Sequence, residues 1–171
     1  MIRSDANMST DWRSGLTAWE ILESAIRDKD HPGEPGDLAL AEEAYAMGVD
    51  LNARDKYGAT LLIYAACEND VAMIDWLLAR GAHLDGREVL EATRFEAAEA
   101  LAALLKYGAS PEVDEHGHRP LHLAARAGSA RLAEILLEHG AKVDARDDSG
   151  ATCAELLAAA GIPITKSRAP T

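Results

Sequence analysis

Three histidines, His116, His118 and His122, fall within seven positions, with Asp114 and Glu115 beside them. Imidazole and carboxylate at such spacing could ligate a divalent metal or move a proton, so this cluster is the first candidate for chemistry. Cys67 and Cys153 are the two thiols. Neither has a sequence-local histidine to make it a nucleophile, no glycine-rich elbow presents a Ser or Thr, and no phosphate-cradling loop is present. No four-ligand cysteine set exists for structural zinc, and the wide separation of the two cysteines predicts free thiols. The acidic pairs Glu42-Glu43 and Asp147-Asp148 read as a helix face and a turn, both solvated.

The elements that carry these residues repeat. Met47-Gly48-Val49-Asp50, Arg80-Gly81-Ala82-His83, Tyr107-Gly108-Ala109-Ser110 and His139-Gly140-Ala141-Lys142 each follow an apolar helical run. From Gly48 to Gly81 is 33 residues, from Gly81 to Gly108 is 27, and from Gly108 to Gly140 is 32. Self-similarity at such a period signals a solenoid, in which each unit buries its apolar face only against its neighbours.

The clearest unit starts at Asp114-Glu115-His116-Gly117-His118-Arg119-Pro120-Leu121-His122-Leu123-Ala124-Ala125, passes Gly128 and the helix Leu132–Leu137, and ends at Gly140-Ala141. It resembles an ankyrin repeat, with Arg119 in place of the family's threonine. The unit from Asp55-Lys56-Tyr57-Gly58-Ala59-Thr60 to Gly81-Ala82 keeps the frame but has Leu61 for the proline and Ile63 for the histidine. The family's threonine-to-histidine bond therefore cannot form in either unit, which predicts somewhat weaker loop anchoring. His122 stands where the resembled family uses its ring to hold loop backbone, so the resemblance implies a structural histidine. His116 and His118 fall on a hairpin tip.

The expected fold is all-α: a solenoid of stacked helix-turn-helix units joined by hairpin loops. Residues 1–15 read as a flexible extension and 16–163 as one repeat domain. Within it, 16–53 form an N-terminal cap, 54–85 a repeat, 86–113 a shortened repeat, 114–145 a repeat and 146–163 a C-terminal cap, followed by a tail at 164–171. The cap helices around Thr17–Leu22 and Leu38–Ala44 are separated by Asp28–Gly36, whose prolines and glycines require a long loop. The shortened repeat passes from His83-Leu84-Asp85 straight into the helix Arg87–Arg94, so the row of hairpins should have a gap. That register sets Arg94 at the position of Arg126 and Phe95 at that of Ala127. Trp19 and Trp76 read as packing residues.

The net charge is −12, of which residues 1–53 carry −7. A solubilising end accounts for this as well as a basic partner does. A pI near 4.8 argues against a nucleic-acid stripe. No window reaches the roughly 18 apolar residues of a membrane span, and residues 1–14 lack the apolar core of a secretory signal, so a cytoplasmic location is expected.

The resemblance implies a protein-binding module without catalysis or cofactor, its partner held at the hairpin tips and inner helices. Carried over by position, that face comprises Arg54, Lys56, Tyr57 and Glu68 on the first full repeat, and Arg94 and Phe95 on the short one. Glu115, His116, His118 and Arg126 follow on the next repeat, and Arg146 and Asp148 on the last hairpin. Five bases stand there against three acids. Arginine and aromatic residues dominate binding hot spots. Small stand-alone, alanine-rich chains of this kind resemble bacterial members, which implies an inhibitor or immunity-type neutraliser; an adaptor or host-directed effector is the alternative. The reading from another class is a metal-binding protein or enzyme using His116 and His118.

Overall fold

The computed structural model describes residues 16–27, 37–115 and 117–164. The expected extension at 1–15, the Asp28–Gly36 loop, His116 and nearly all of the tail lie outside them. Among the described residues the regular structure is helical: α1 (Ala18–Arg27), α2 (Leu38–Ala46), α3 (Leu61–Cys67), α4 (Val71–Ala79), α5 (Arg87–Arg94), α6 (Ala98–Lys106), α7 (Pro120–Ala127), α8 (Ala130–Glu138) and α9 (Cys153–Ala159). Two isolated β-bridges, Glu115 with His118 and Arg146 with Thr152, mark hairpin tips.

Local chemistry sets the helix starts. Thr17 and Glu20 at α1, like Thr152 and Glu155 at α9, exchange side-chain and backbone hydrogen bonds in a capping box. Asp37, Thr60, Asp70 and Ser129 each accept the amide three residues on at α2, α3, α4 and α8. Pro120 occupies the first position of α7, where no amide is needed.

Consecutive helices pair, and the pairs stack. The first helices α1, α3, α5, α7 and α9 form one layer in chain order, while α4, α6 and α8 pack behind them. Leu22, Ile26, Leu62, Ile74, Leu77, Leu101, Leu104, Leu121 and Leu132 are fully buried between the layers. Buried alanines such as Ala65, Ala66, Ala92, Ala100, Ala124 and Ala133 let the helices approach. A buried leucine contributes about 2 kcal/mol relative to exposure, and none of these is covered within its own unit alone. At the cap, the Arg80 guanidinium sits 4.3 Å from the Trp76 ring centre and pairs with Glu42, which also accepts the Trp76 indole N–H at 3.0 Å. Glu42 thus ties α2 to α4 while remaining on a solvated helix face.

Neighbouring units are also joined through their backbones. The Asn52 side chain accepts the His83 amide at 2.8 Å and donates to Gly81 O at 3.2 Å. Asn69 accepts the Ala100 amide and Glu112 the Lys142 amide, each at 2.8 Å.

The hairpin tips are organised by aspartates. Asp55 accepts the Tyr57 and Ala59 amides, both at 2.8 Å, and the Tyr64 hydroxyl at 2.5 Å. Asp114 accepts the Gly117 amide at 2.8 Å. Asp147 accepts the Ser149 hydroxyl and amide, the Ala151 amide and the Arg126 guanidinium. Its side chain is wholly buried, which differs from the solvated turn expected at Asp147-Asp148. Four donors converge on it because a tip that must project needs its backbone closed from within. His122, also buried, bonds Ala145 O at 3.1 Å and the Arg119 amide at 3.4 Å. Loop anchoring is therefore carried by the Tyr64 hydroxyl on Asp55 in one unit and by the His122 bonds in the other.

The short unit has no hairpin. Chain direction reverses at Gly86, whose φ of +94° is costly for any other residue, and a Cβ there would lie 2.5 Å from Val113 Cγ2. The Glu88 carboxylate, 1% exposed, accepts the Gly86 and Asp85 amides at 2.9 and 3.4 Å. Arg87 reaches back to Gly58 O at 2.7 Å, filling space beside the preceding tip.

Two predictions arise. Gly86→Ala should cost about 1–3 kcal/mol, read from the urea midpoint, with added Val113→Ala recovering only the steric share. An unchanged midpoint would contradict the left-handed start of α5. For Asp147, the hydrogen bond from Ser149, then those from the amides and the charge of Arg126, hold the carboxyl at about 2, below its ordinary 3.8. A depressed folded-state value supplies stability above the ordinary value that is lost as pH falls through the folded one. Thermal unfolding of the wild type should therefore decline more steeply between pH 3.8 and 2 than that of Asp147→Asn. Parallel curves would refute this role.

Candidate protein-binding surface

Side chains that could do chemistry are held away from it. Burial pushes the Cys67 thiol up to about 12, with Glu91 and Glu68 adding to the effect, and raises Cys153 to about 11. Both are free thiols far from a thiolate at neutral pH. His122 is committed to backbone. His118 is half-buried, with Nδ1 3.4 Å from the Arg126 guanidinium. Among the described residues no group of three His, Cys, Asp or Glu is gathered as a metal site. None of the described helices is long and apolar enough to cross a membrane.

The carried-over positions are mostly outward-facing. Arg54, Lys56, Tyr57, Arg94, Phe95, Arg126, Arg146 and Asp148 are exposed, while Glu68, Glu115 and His118 are half-buried. Tyr57 is 73% exposed and Phe95 62%, so the ring of Phe95 turns outward from the end of α5 and not into the stack.

Several of the bases are engaged within the chain. Arg54 pairs with Asp85 and donates to Gly58 O at 2.8 Å. Arg94 joins Glu91 at 2.5 Å and Glu115 at 2.7 Å, spanning from the short unit to the next tip. Arg126 holds Asp147 at 2.7 Å, and Arg146 donates to Gly150 O at 2.5 Å. Lys56 is different: its ammonium lies 5.0 Å from the Tyr57 ring centre, and it forms no ion pair among the described residues.

Arg54, Lys56 and Tyr57 meet in a cleft of about 710 Å³ between α1 and the first tip, completed by Trp19, Glu20, Glu23, Arg27, Ala53, Asp55 and Tyr64. The other carried-over residues do not line it. Sequence reasoning missed Tyr64, Arg27 and the two glutamates, and placed Trp19 in the cap core alone. Trp19 does pack against the core, half-buried, while also facing the cleft. The available signal was the spacing of Glu20, Glu23 and Arg27, which puts all three on one face of α1. The Arg27 guanidinium lies 5.2 Å from the Tyr64 ring centre and bonds Glu23 at 2.8 Å. The hydrogen bond to Asp55 pushes the Tyr64 hydroxyl up to about 12.

Comparison with known proteins agrees with this architecture. A model of ankyrin repeats in three copies matches residues 89–147, and one of ankyrin repeats in many copies matches residues 33–78. The chain is 29% identical over 144 residues to a putative palmitoyltransferase, ZDHHC13, of Danio rerio, which covers 80% of this chain and 21% of that protein. It is 34% identical over 98 residues to zygote-specific protein 3 of Chlamydomonas reinhardtii, covering 54% of this chain and 26% of that protein. It is 33% identical over 98 residues to ankyrin repeat and SOCS box protein 11 of Danio rerio, covering 54% and 33%. The chain thus spans between about a fifth and a third of these relatives' lengths. With helix pairs, aspartate-closed tips and both matched stretches in register, the chain belongs to the ankyrin-repeat family.

Proposed function

We propose that residues 16–163 form a non-catalytic binding module that holds one specific protein partner along the groove of hairpin tips and inner helices. The observation that carries this reading is the exposure of Tyr57 and Phe95, 73% and 62%, on a tip and beside the missing tip. Burying such a ring in an interface contributes about 1.5–3 kcal/mol, whereas leaving it in water gains the isolated chain nothing. Arg94 stands next to Phe95 with both terminal guanidinium nitrogens paired, to Glu91 and Glu115, so it braces the surface from which the Phe95 ring projects. The groove suits a protruding element of that partner, and capping such an element on a toxin or hydrolase would neutralise it. The proposed setting is the cytoplasm, where the free thiols of Cys67 and Cys153 stay reduced.

The test compares wild type with Arg94→Ala, Phe95→Ala in affinity capture from native cell lysate. Circular dichroism establishes that the double variant is folded. The expected result is one protein retained near 1:1 by wild type, with affinity about tenfold lower or worse in the variant. Equal retention by both would place recognition elsewhere on the solenoid.

A further inference from the structure

The cleft between α1 and the first tip has a composition that selects among partners. Its volume, about 710 Å³, lies within the roughly 300–1,000 Å³ of ligand clefts. Trp19, Tyr57, Tyr64 and Ala53 supply apolar wall, and three acids and three bases supply charge. The acids are turned largely toward internal donors. Asp55 is surrounded by two amides and the Tyr64 hydroxyl, Glu20 takes the Thr17 amide and hydroxyl, and Glu23 takes Arg27.

The bases have more to spare. Lys56 keeps all three N–H donors outside any ion pair among the described residues. Arg27 commits one nitrogen, to Glu23, and forms no other hydrogen bond among the described residues. Both cations lie close to the ring centres of Tyr64 and Tyr57, at 5.2 and 5.0 Å. This arrangement breaks the symmetry between guests. A cationic side chain would find those ring seats taken and two like charges beside them, while a carboxylate would meet donors already held in place. The chain's remaining negative charge is screened over about 8 Å at physiological salt, so the cleft's local field decides.

Resting on the protein-binding reading above, we infer that this cleft takes an acidic segment of the partner, a carboxylate side chain set beside a bulky apolar one. Lys56 and Arg27 bind the carboxylate, and Trp19 and Tyr57 cover the apolar neighbour. Among the carried-over residues, Lys56 thereby becomes the one that chooses the partner's charge.

The experiment selects random dodecapeptides displayed on phage against the immobilised full chain, then measures the enriched peptides by fluorescence anisotropy on wild type and variants. Peptides with Asp or Glu adjacent to Phe, Tyr, Trp or Leu are expected. Lys56→Glu should weaken them about tenfold and Lys56→Met by a smaller factor. Lys56 favours the ionised Asp55 that closes the tip, so Lys56→Met, which adds no negative charge there, checks against tip disruption, and circular dichroism verifies that both variants are folded. Enrichment of basic or proline-rich peptides, acidic peptides indifferent to Lys56→Glu, or no enrichment at all would each overturn the inference. Acidic peptides lost with Arg94→Ala, Phe95→Ala but not with Lys56→Glu would overturn the cleft assignment and leave the groove reading standing. Failure of that reading itself shows separately, as equal capture by wild type and the double variant.

Discussion

Everything in this structure depends on units that cannot cover themselves. A helix pair such as α3 and α4 buries Leu62, Ile74 and Leu77 only because α1, α5 and α6 lie against it. The same dependence reaches the backbone, where Asn52, Asn69 and Glu112 each satisfy polar main-chain groups of the following unit. Apolar burial gives the stack its energy, and these bonds, each contributing about 0.5–1.5 kcal/mol, set the spacing at which one unit meets the next. Tip positions follow from that spacing, so the binding face inherits its geometry from contacts in the interior.

The short unit shows how far the rule can be relaxed. Without a hairpin, the start of α5 would leave amides unsatisfied and a hole beside the preceding tip. Glu88 supplies the acceptor, Gly86 the turn, and Arg87 fills the hole by reaching Gly58 O. Burial raises the Glu88 carboxyl above its usual range, so this solution costs stability when the group is ionised. Asp85 lies close by. Burial pushes its carboxyl up as well, but the Arg87 amide and Arg54 outweigh this and keep it low. The stack tolerates the deletion because the replacement bonds are local, leaving the contacts of α5 with α3 and α7 intact.

How much of this could be read from the residues follows the range of the interactions. The helix spans, the signature unit around His122 and the jump from Asp85 into α5 are written within a few consecutive positions, where capping residues and apolar periodicity act. The cleft is not, because Arg27 and Tyr64 are 37 positions apart and meet only when one unit stacks on the next. Asp147 illustrates the same limit at closer quarters. Two adjacent aspartates in a turn look alike in composition, and the donors of Ser149 and Ala151 together with the return of Arg126 from α7 distinguish the buried organiser from its exposed neighbour Asp148.

Internal pairing also shapes what the face can recognise. Arg54, Arg94 and Arg126 look like a basic stripe in the sequence, yet Asp85, Glu91, Glu115 and Asp147 already hold them. A partner that approached through charge alone would have to displace these contacts, exchanging one set of ion pairs for another at little net gain. On the proposed reading, selectivity then falls to groups the chain leaves unspent: the Phe95 and Tyr57 rings and the Lys56 ammonium. An acidic solenoid avoids indiscriminate attraction by neutralising its own arginines, which hold the tips in place for the few residues that do the recognising.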